Sequence, residues 1–214
     1  GGADFWMSVV LAEELARCRA GGVAFSVIVH TDMSSPWLAQ IGDEAQNDRY
    51  LPGIISGETV CALAITEPGA GSDMAGIETR AARDGDEWVI TGAKTFTTNG
   101  VYGDLYFVAA RTAPPGEDQR HRGISQFLVE RDTPGVTVTR KMDKTGMLSS
   151  DTAELSFDGV RVPVANLLGE QGRGFQQLAA GLQRERLMVA VMCVAASEQA
   201  LEDTRSYLKQ REAF

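Results

Sequence analysis

Three stretches of the chain hold residue types that could do chemistry. Residues 63–76 read LAITEPGAGSDMAG, an apolar run that enters a turn with two hydroxyls, a proline and closely spaced glycines. Glycine lets backbone N–H groups point at phosphate oxygens, and Thr66 and Ser72 add short hydroxyl donors. The same residues also suit a plain tight turn between strands. Their spacing is not GxGxxG, and no GKS or GKT follows, so neither a Rossmann nor a Walker loop is indicated. A second stretch, Phe96-Thr97-Thr98, offers an aromatic face and hydroxyls but reads by itself as a strand end. In the third, Glu185 stands at helical spacing with Leu178, Leu182, Val189 and Met192, a carboxylate inside an apolar stripe. Such a residue is either a general base in a dry site or the partner of Arg184 or Arg186 on a solvated face.

These residues need elements to position them. Phe5, Val9, Leu11, Leu15 and Cys18 recur every three to four residues and predict a first helix ended by Gly21-Gly22. A second apolar stretch covers residues 23–29, and Pro36 suits the first turn of a helix carrying Trp37, Leu38 and Ile41. Residues 43–55 predict another helix that stops near Gly57. After Glu58 short β-branched and aromatic runs alternate with turn residues, the texture of an antiparallel sheet or barrel. The clearest hairpin surrounds Asp84-Gly85-Asp86, and further strands are expected at residues 105–111, 123–130, 136–141 and 152–157. The polar segment 112–122, with Pro114-Pro115-Gly116, reads as a mobile connection. From Gly174 one long helix is expected. The organisation is thus α+β: residues 1–58 helical, 59–170 a β domain, 171–214 the first helix of a second helical domain.

Composition narrows the function classes. An apolar fraction of 43% and a charged fraction of 23% suit a globular protein. Acidic residues outnumber basic ones by 29 to 20, a net charge of −9, which argues against nucleic-acid binding but leaves room for an anionic ligand held locally. Cys18, Cys61 and Cys193 are widely spaced, and His30 and His121 lie far apart, so neither a disulfide framework nor a metal centre is suggested. A reducing cytosol fits best. No run of about eighteen apolar residues suggests a transmembrane segment. The chain begins without Met and stops in mid-pattern, which suggests that it is cut at both ends.

Taken whole, Thr66-Glu67-Pro68-Gly69-Ala70-Gly71-Ser72-Asp73 resembles the first signature of the acyl-CoA dehydrogenase family. The resemblance continues in order through Gly92-Ala93-Lys94-Thr95-Phe96-Thr97-Thr98-Asn99-Gly100, Ser150-Asp151-Thr152, Phe157-Asp158-Gly159-Val160-Arg161-Val162-Pro163 and Glu185-Arg186-Leu187, so it spans essentially all 214 residues. It implies N-terminal helices, a central antiparallel β-barrel-like domain and the start of a C-terminal helical bundle, with FAD between the last two. By that resemblance Thr66 would hydrogen-bond the pyrimidine side of the flavin, and Ser72, beside Gly71, would serve its pyrophosphate. Leu63 and Ile65 would add backbone contacts. Phe96 stands where many relatives carry a tryptophan against the flavin ring, and Thr98 would donate to the N5 edge.

Glu185, in Leu182-Gln183-Arg184-Glu185-Arg186-Leu187, matches the position at which long-chain and isovaleryl types carry the base that takes the α proton of an acyl-CoA thioester. Most relatives hold that glutamate on a later segment, and that alternative stays open. Ser72 and Arg186 would also face the substrate, Asp151 would brace the β domain, and Gly172 and Gly174 would open the last helix. The implied reaction is FAD-dependent dehydrogenation to a trans-2-enoyl-CoA, with electron-transfer flavoprotein as acceptor and a homo-oligomer, dimer or tetramer, as the assembly. An acyl-CoA oxidase using O₂ and a non-catalytic binding fragment of the same fold are the rival readings.

Overall fold

The computed structural model describes residues 4–115 and 119–212; Gly116 and both extreme ends lie outside the described residues. Asp4 caps α1 (Phe5–Arg17) by accepting the Trp6 amide hydrogen at 3.1 Å. Gly21-Gly22 do not end this helix, as the periodicity predicts, but open α2 (Gly21–Ile28). Gly22 passes so close to the next domain that a Cβ there would lie 2.4 Å from the Ser150 amide nitrogen. α2 runs into a π-helical segment, Val29–Ser34, and then into α3 (Ser35–Ile41), with Pro36 in its first turn. α4 (Glu44–Ser56) begins with a reciprocal capping box between Asp43 and Gln46 and ends at Gly57, φ 82°.

Among the described residues eight strands follow: β1 (Cys61–Ala64), β2 (Arg80–Asp84), β3 (Glu87–Thr98), β4 (Leu105–Arg111), β5 (Ile124–Glu130), β6 (Val136–Lys141), β7 (Thr152–Pro163) and β8 (Leu167–Leu168). Their order is β6-β7-β3-β2-β4-β5-β8, with β1 also beside β4. β2 and β3 form the expected hairpin, turning at Gly85 with φ 60°. The sheet is mixed rather than purely antiparallel, because β1 and β2 run parallel to β4. β1 arrives from α4 and leaves through the 63–76 loop, so no hairpin forces it to reverse beside its neighbour.

β4 is buried on both faces. Tyr106 and Val108 join Trp88, Phe127 and Leu155 in one core layer, while Leu105 and Phe107 join Leu38, Tyr50, Ile54 and Leu178 in the other. The second layer is where the helices meet the sheet. α5 (Gly174–Gln210) has 37 residues, about 55 Å of helix. It starts on β5, where a Cβ on Gly174 would come within 2.9 Å of the Ser125 Cα. Further along, Ala12 and Ala16 of α1 let that helix pack closely on Met188, Met192 and Ala195. On the solvent side of α5, Leu187, Val194, Leu201 and Leu208 stand exposed at seven-residue intervals.

Candidate active site

The loop after β1 is braced from beneath. Glu67 and Ala70 exchange backbone hydrogen bonds at 2.9 and 3.1 Å, and the Thr95 amide donates to the Thr66 carbonyl at 2.8 Å. Lys94 Nζ, its side chain fully buried, donates to Glu67 Oε1 at 2.7 Å and to the Ile65 carbonyl at 3.0 Å. Glu67 also accepts from the amides of Glu78 at 2.6 Å and Thr79 at 3.0 Å. Burial alone would raise the Glu67 carboxyl, but Lys94 and these amide donors outweigh it and hold it below its usual range. Burial likewise pushes the Lys94 ammonium down to about 8, against the pull of Glu67. At neutral pH the pair is ionic and ties the loop to β3. Gly71 and Ser72 are left exposed at the rim, and a Cβ on Gly71 would meet nothing within 4 Å. That position is open space, so the packing of the protein itself does not call for a glycine there.

β3 ends in an irregularity with chemical meaning. Its register against β7 shifts between Lys94 and Thr97, and Phe96 adopts φ 56° with 67% of its surface exposed. A non-glycine residue in this region costs about 1 kcal/mol or more. An apolar ring held in solvent by a strained backbone suits a surface meant for a flat ligand. Thr97 is buried and Thr98 half-buried beside it.

α5 supplies the facing wall. A cavity of about 420 Å³ is lined by Leu63, Ile65, Thr66, Gly71, Ser72, Phe96, Thr98, Glu185 and Arg186, which are all nine candidate positions. Phe25, Val29, Met74 and Leu182 complete it; Phe25 and Val29 carried no sequence signal beyond being apolar, whereas Met74 and Leu182 stand inside the quoted loop and helix segments. Glu185 does not pair with Arg184, whose guanidinium turns away to Asp32 at 2.9 Å and Ser8 at 3.0 Å. Burial pushes the Glu185 carboxyl up to about 7, with the Trp37 indole and Arg186 pulling the other way. Asp151 lies outside the cavity and accepts the Val101 amide at 2.6 Å, a brace between loops.

A larger concavity of about 610 Å³ opens near Ile77, Arg80, Thr112 and Arg120, and none of the nine lines it. Its Arg111 is committed to the carbonyls of Ala75, Ile77, Arg120 and Arg122. Among the described residues no cluster of three or more metal-ligand side chains forms, and no helix is long and apolar enough to cross a membrane.

Helices packed on one face of a mixed sheet, with a largely apolar cleft where α2, α5, β3 and the 63–76 loop converge, define an α+β protein with a candidate ligand site. Three family models match nearly the whole of it: the acyl-CoA dehydrogenase N-terminal domain at residues 1–58, the middle domain at 62–160 and the C-terminal domain at 172–214. The mitochondrial long-chain specific acyl-CoA dehydrogenase of Sus scrofa is 42% identical over 213 residues, covering 100% of this chain and 49% of its own. Mitochondrial isovaleryl-CoA dehydrogenase of Pongo abelii is 38% identical over 216 residues, covering 100% and 50%. The crystal structure of an acyl-CoA dehydrogenase from Geobacillus kaustophilus superposes with a TM-score of 0.94 at 47% identity, over 99% of this chain and 55% of that one. The chain belongs to the acyl-CoA dehydrogenase family. It spans about half the length of the curated relatives it matches.

Proposed function

We propose that the protein carries out FAD-dependent α,β-dehydrogenation of an acyl-CoA thioester. The observation that carries this reading is the single cleft in which the 63–76 loop and β3 face a half-buried carboxylate of raised basicity. The residues fit FAD. Phe96 offers an exposed ring for stacking, Gly71 leaves open room at the rim, and Thr66, Ser72 and Thr98 bring hydroxyls to the same wall. Leu63 and Ile65 stand beside them for backbone contacts. When bound, FAD supplies the two-electron acceptor that takes the substrate β hydrogen as hydride.

Glu185 takes the α proton. Its carboxyl, lifted to about 7 by burial, is more basic than an exposed glutamate and still ionised in useful fraction near neutral pH. Phe25, Val29 and Leu182 line the space around it and exclude water from the developing enolate. Arg186 places positive charge at the cleft for the anionic CoA portion, with Ser72 as a further donor. The product is a trans-2-enoyl-CoA. Electron-transfer flavoprotein is the proposed acceptor, a homo-oligomer the proposed assembly, and the three free thiols suit a reducing cytosol.

Anaerobic titration of the FAD-loaded chain with acyl-CoA esters of graded length tests the reaction. Bleaching of the flavin is expected with at least one ester, and retained absorbance with all of them refutes the proposal. Glu185→Gln should slow bleaching by about 100-fold or more. An unchanged rate would assign the base elsewhere. Peroxide release without an electron-transfer partner would identify an oxidase instead.

A further inference from the structure

The stretch of α5 that carries Glu185 is lightly packed. Among the described residues of α5 none from Ala179 to Leu187 is buried, whereas Leu178 before them sits against the sheet and Met188 after them against α1. On the side facing α3 this stretch borders a second cavity of about 420 Å³, lined by Asp32, Trp37, Gln40, Gln177, Ala180 and Arg184. Trp37 touches the helix there at Gly181, where a Cβ would come within 2.4 Å of its Cζ2. A flat ring against a turn with no side chain meets no ridge that would index the rotation of the helix. A polar contact does so instead. Arg184 Nη2 donates to Asp32 Oδ1 at 2.9 Å and to Ser8 Oγ at 3.0 Å, and its guanidinium lies over the Phe5 ring, 5.4 Å from the centroid. Asp32 is 3% exposed, and its other oxygen accepts from Thr31 Oγ1 at 2.7 Å. Both carboxylate oxygens are thus engaged. Asp32 stands in the π-helical segment Val29–Ser34, a form of wide turn that recurs at functional sites, and Val29 of the same segment lines the cleft. One segment supplies both a wall of the cleft and the anchor of the helix that carries its carboxylate.

We propose that Asp32 is a positioning residue: by holding Arg184 it fixes the rotation of α5 about its axis and so aims the adjoining Glu185 into the cleft. The inference rests on Glu185 being the base. Successive residues of a helix point about 100° apart, so pinning position 184 sets the direction of position 185. Partly buried ion pairs contribute little net stability and are best suited to fixing register. A base that is aimed wrongly loses rate, while the groups that bind the substrate elsewhere in the cleft keep its affinity. The other charged group lining the cleft is Arg186, on the same helix, and the 63–76 loop and β3 present the uncharged Thr66, Ser72 and Thr98.

Asp32→Asn keeps the shape of the side chain and removes the charge that holds Arg184. In the FAD-loaded chain the rate of flavin bleaching at saturating acyl-CoA should fall about tenfold, with KM unchanged. In the FAD-free chain the Glu185 carboxyl can be titrated by difference infrared spectroscopy, its C=O band assigned by disappearance in Glu185→Gln. Its midpoint should fall by about one unit toward the ordinary carboxylate range as the group gains water. Asp32→Asn/Arg184→Leu leaves no loose guanidinium beside the base, so the same fall there assigns the effect to aim rather than to charge. Arg184→Lys still offers one charged nitrogen to Asp32 and Ser8, and should stay within about threefold of the unaltered rate. Thr31→Val frees one oxygen of Asp32 without emptying the site. It should lower rate and midpoint in the same direction by less, and covers the case in which Asp32→Asn fails to fold. A lower melting temperature with rate and midpoint unmoved overturns the proposal, as does a midpoint that falls in Asp32→Asn and not in the double variant. Unchanged bleaching in Asp32→Asn with an inactive Glu185→Gln removes the positioning role alone. A fully active Glu185→Gln removes the base assignment, and the positioning role with it.

Discussion

Replacing Lys94 with methionine keeps the volume of its buried stem and deletes only the ammonium. The Glu67 carboxylate, 6% exposed, would then keep two amide donors and lose its counter-charge at 2.7 Å, and the Ile65 carbonyl would lose a donor at 3.0 Å. Removing one partner of a buried pair in this way costs about 3–5 kcal/mol, because the remaining charge stays desolvated. The pH dependence follows from the Glu67 carboxyl. Its folded-state pKa lies below its ordinary 4.5, so the stabilisation is present above that value and is lost as pH falls through the folded one. In Lys94→Met the lowering partner is gone and burial drives the carboxyl upward, so protonation relieves the variant in mild acid. Urea unfolding should show the full loss at pH 7.5, a smaller loss at pH 5, and partial recovery in Lys94→Met/Glu67→Gln, whose buried amide is neutral. A loss under about 1 kcal/mol at pH 7.5, or one equal at both pH values, would refute the view that this pair ties the loop to β3.

Glu185 should cost stability where it is ionised: with its carboxyl raised from 4.5 to about 7, the folded chain binds more protons than the unfolded one across that window, and stability falls as pH rises through it. Glu185→Gln should therefore stabilise by roughly 1–3 kcal/mol at pH 8 and by almost nothing at pH 4, read from urea midpoints. Phe96→Gly should relieve the φ 56° backbone and raise stability by up to about 1 kcal/mol while weakening FAD binding at least tenfold; unchanged FAD affinity, measured by flavin fluorescence, would count against the stacking role. Gly22→Ala should lower stability by about 1–3 kcal/mol through its clash with the Ser150 backbone, whereas Gly71→Ala should leave the melting curve unchanged and reduce FAD affinity.

What could be read ahead of the structure was whatever sits within a single element. The helix over residues 43–55, the Gly85 turn and the α5 stripe each show in a few neighbouring residues, and the cleft positions stand inside motifs quoted in order. Contacts set by how distant segments fold back were out of reach. Glu67 and Lys94 lie in two separate motifs, and nothing in either shows that the loop returns over β3 to join them. Arg184 adjoins Glu185, so sequence alone leaves their pairing open. Asp32, 152 residues away, takes the guanidinium instead. Gly21-Gly22 read as a stop because glycine usually ends a helix, but here the close approach of the Ser149-Ser150 backbone calls for a glycine at position 22. The direction of β1 depended on where α4 releases the chain, which no strand pattern encodes.

The exposed stripe on α5 begins at Leu187, two residues beyond the proposed base, and extends through Leu208 with 49–62% of each side chain's residue surface bare. A helix is stiff over such a distance, so the stripe and the carboxylate rotate as one shaft. A roll of α5 about its axis would therefore move Leu182, Glu185 and Arg186 of the cleft together with the outer stripe.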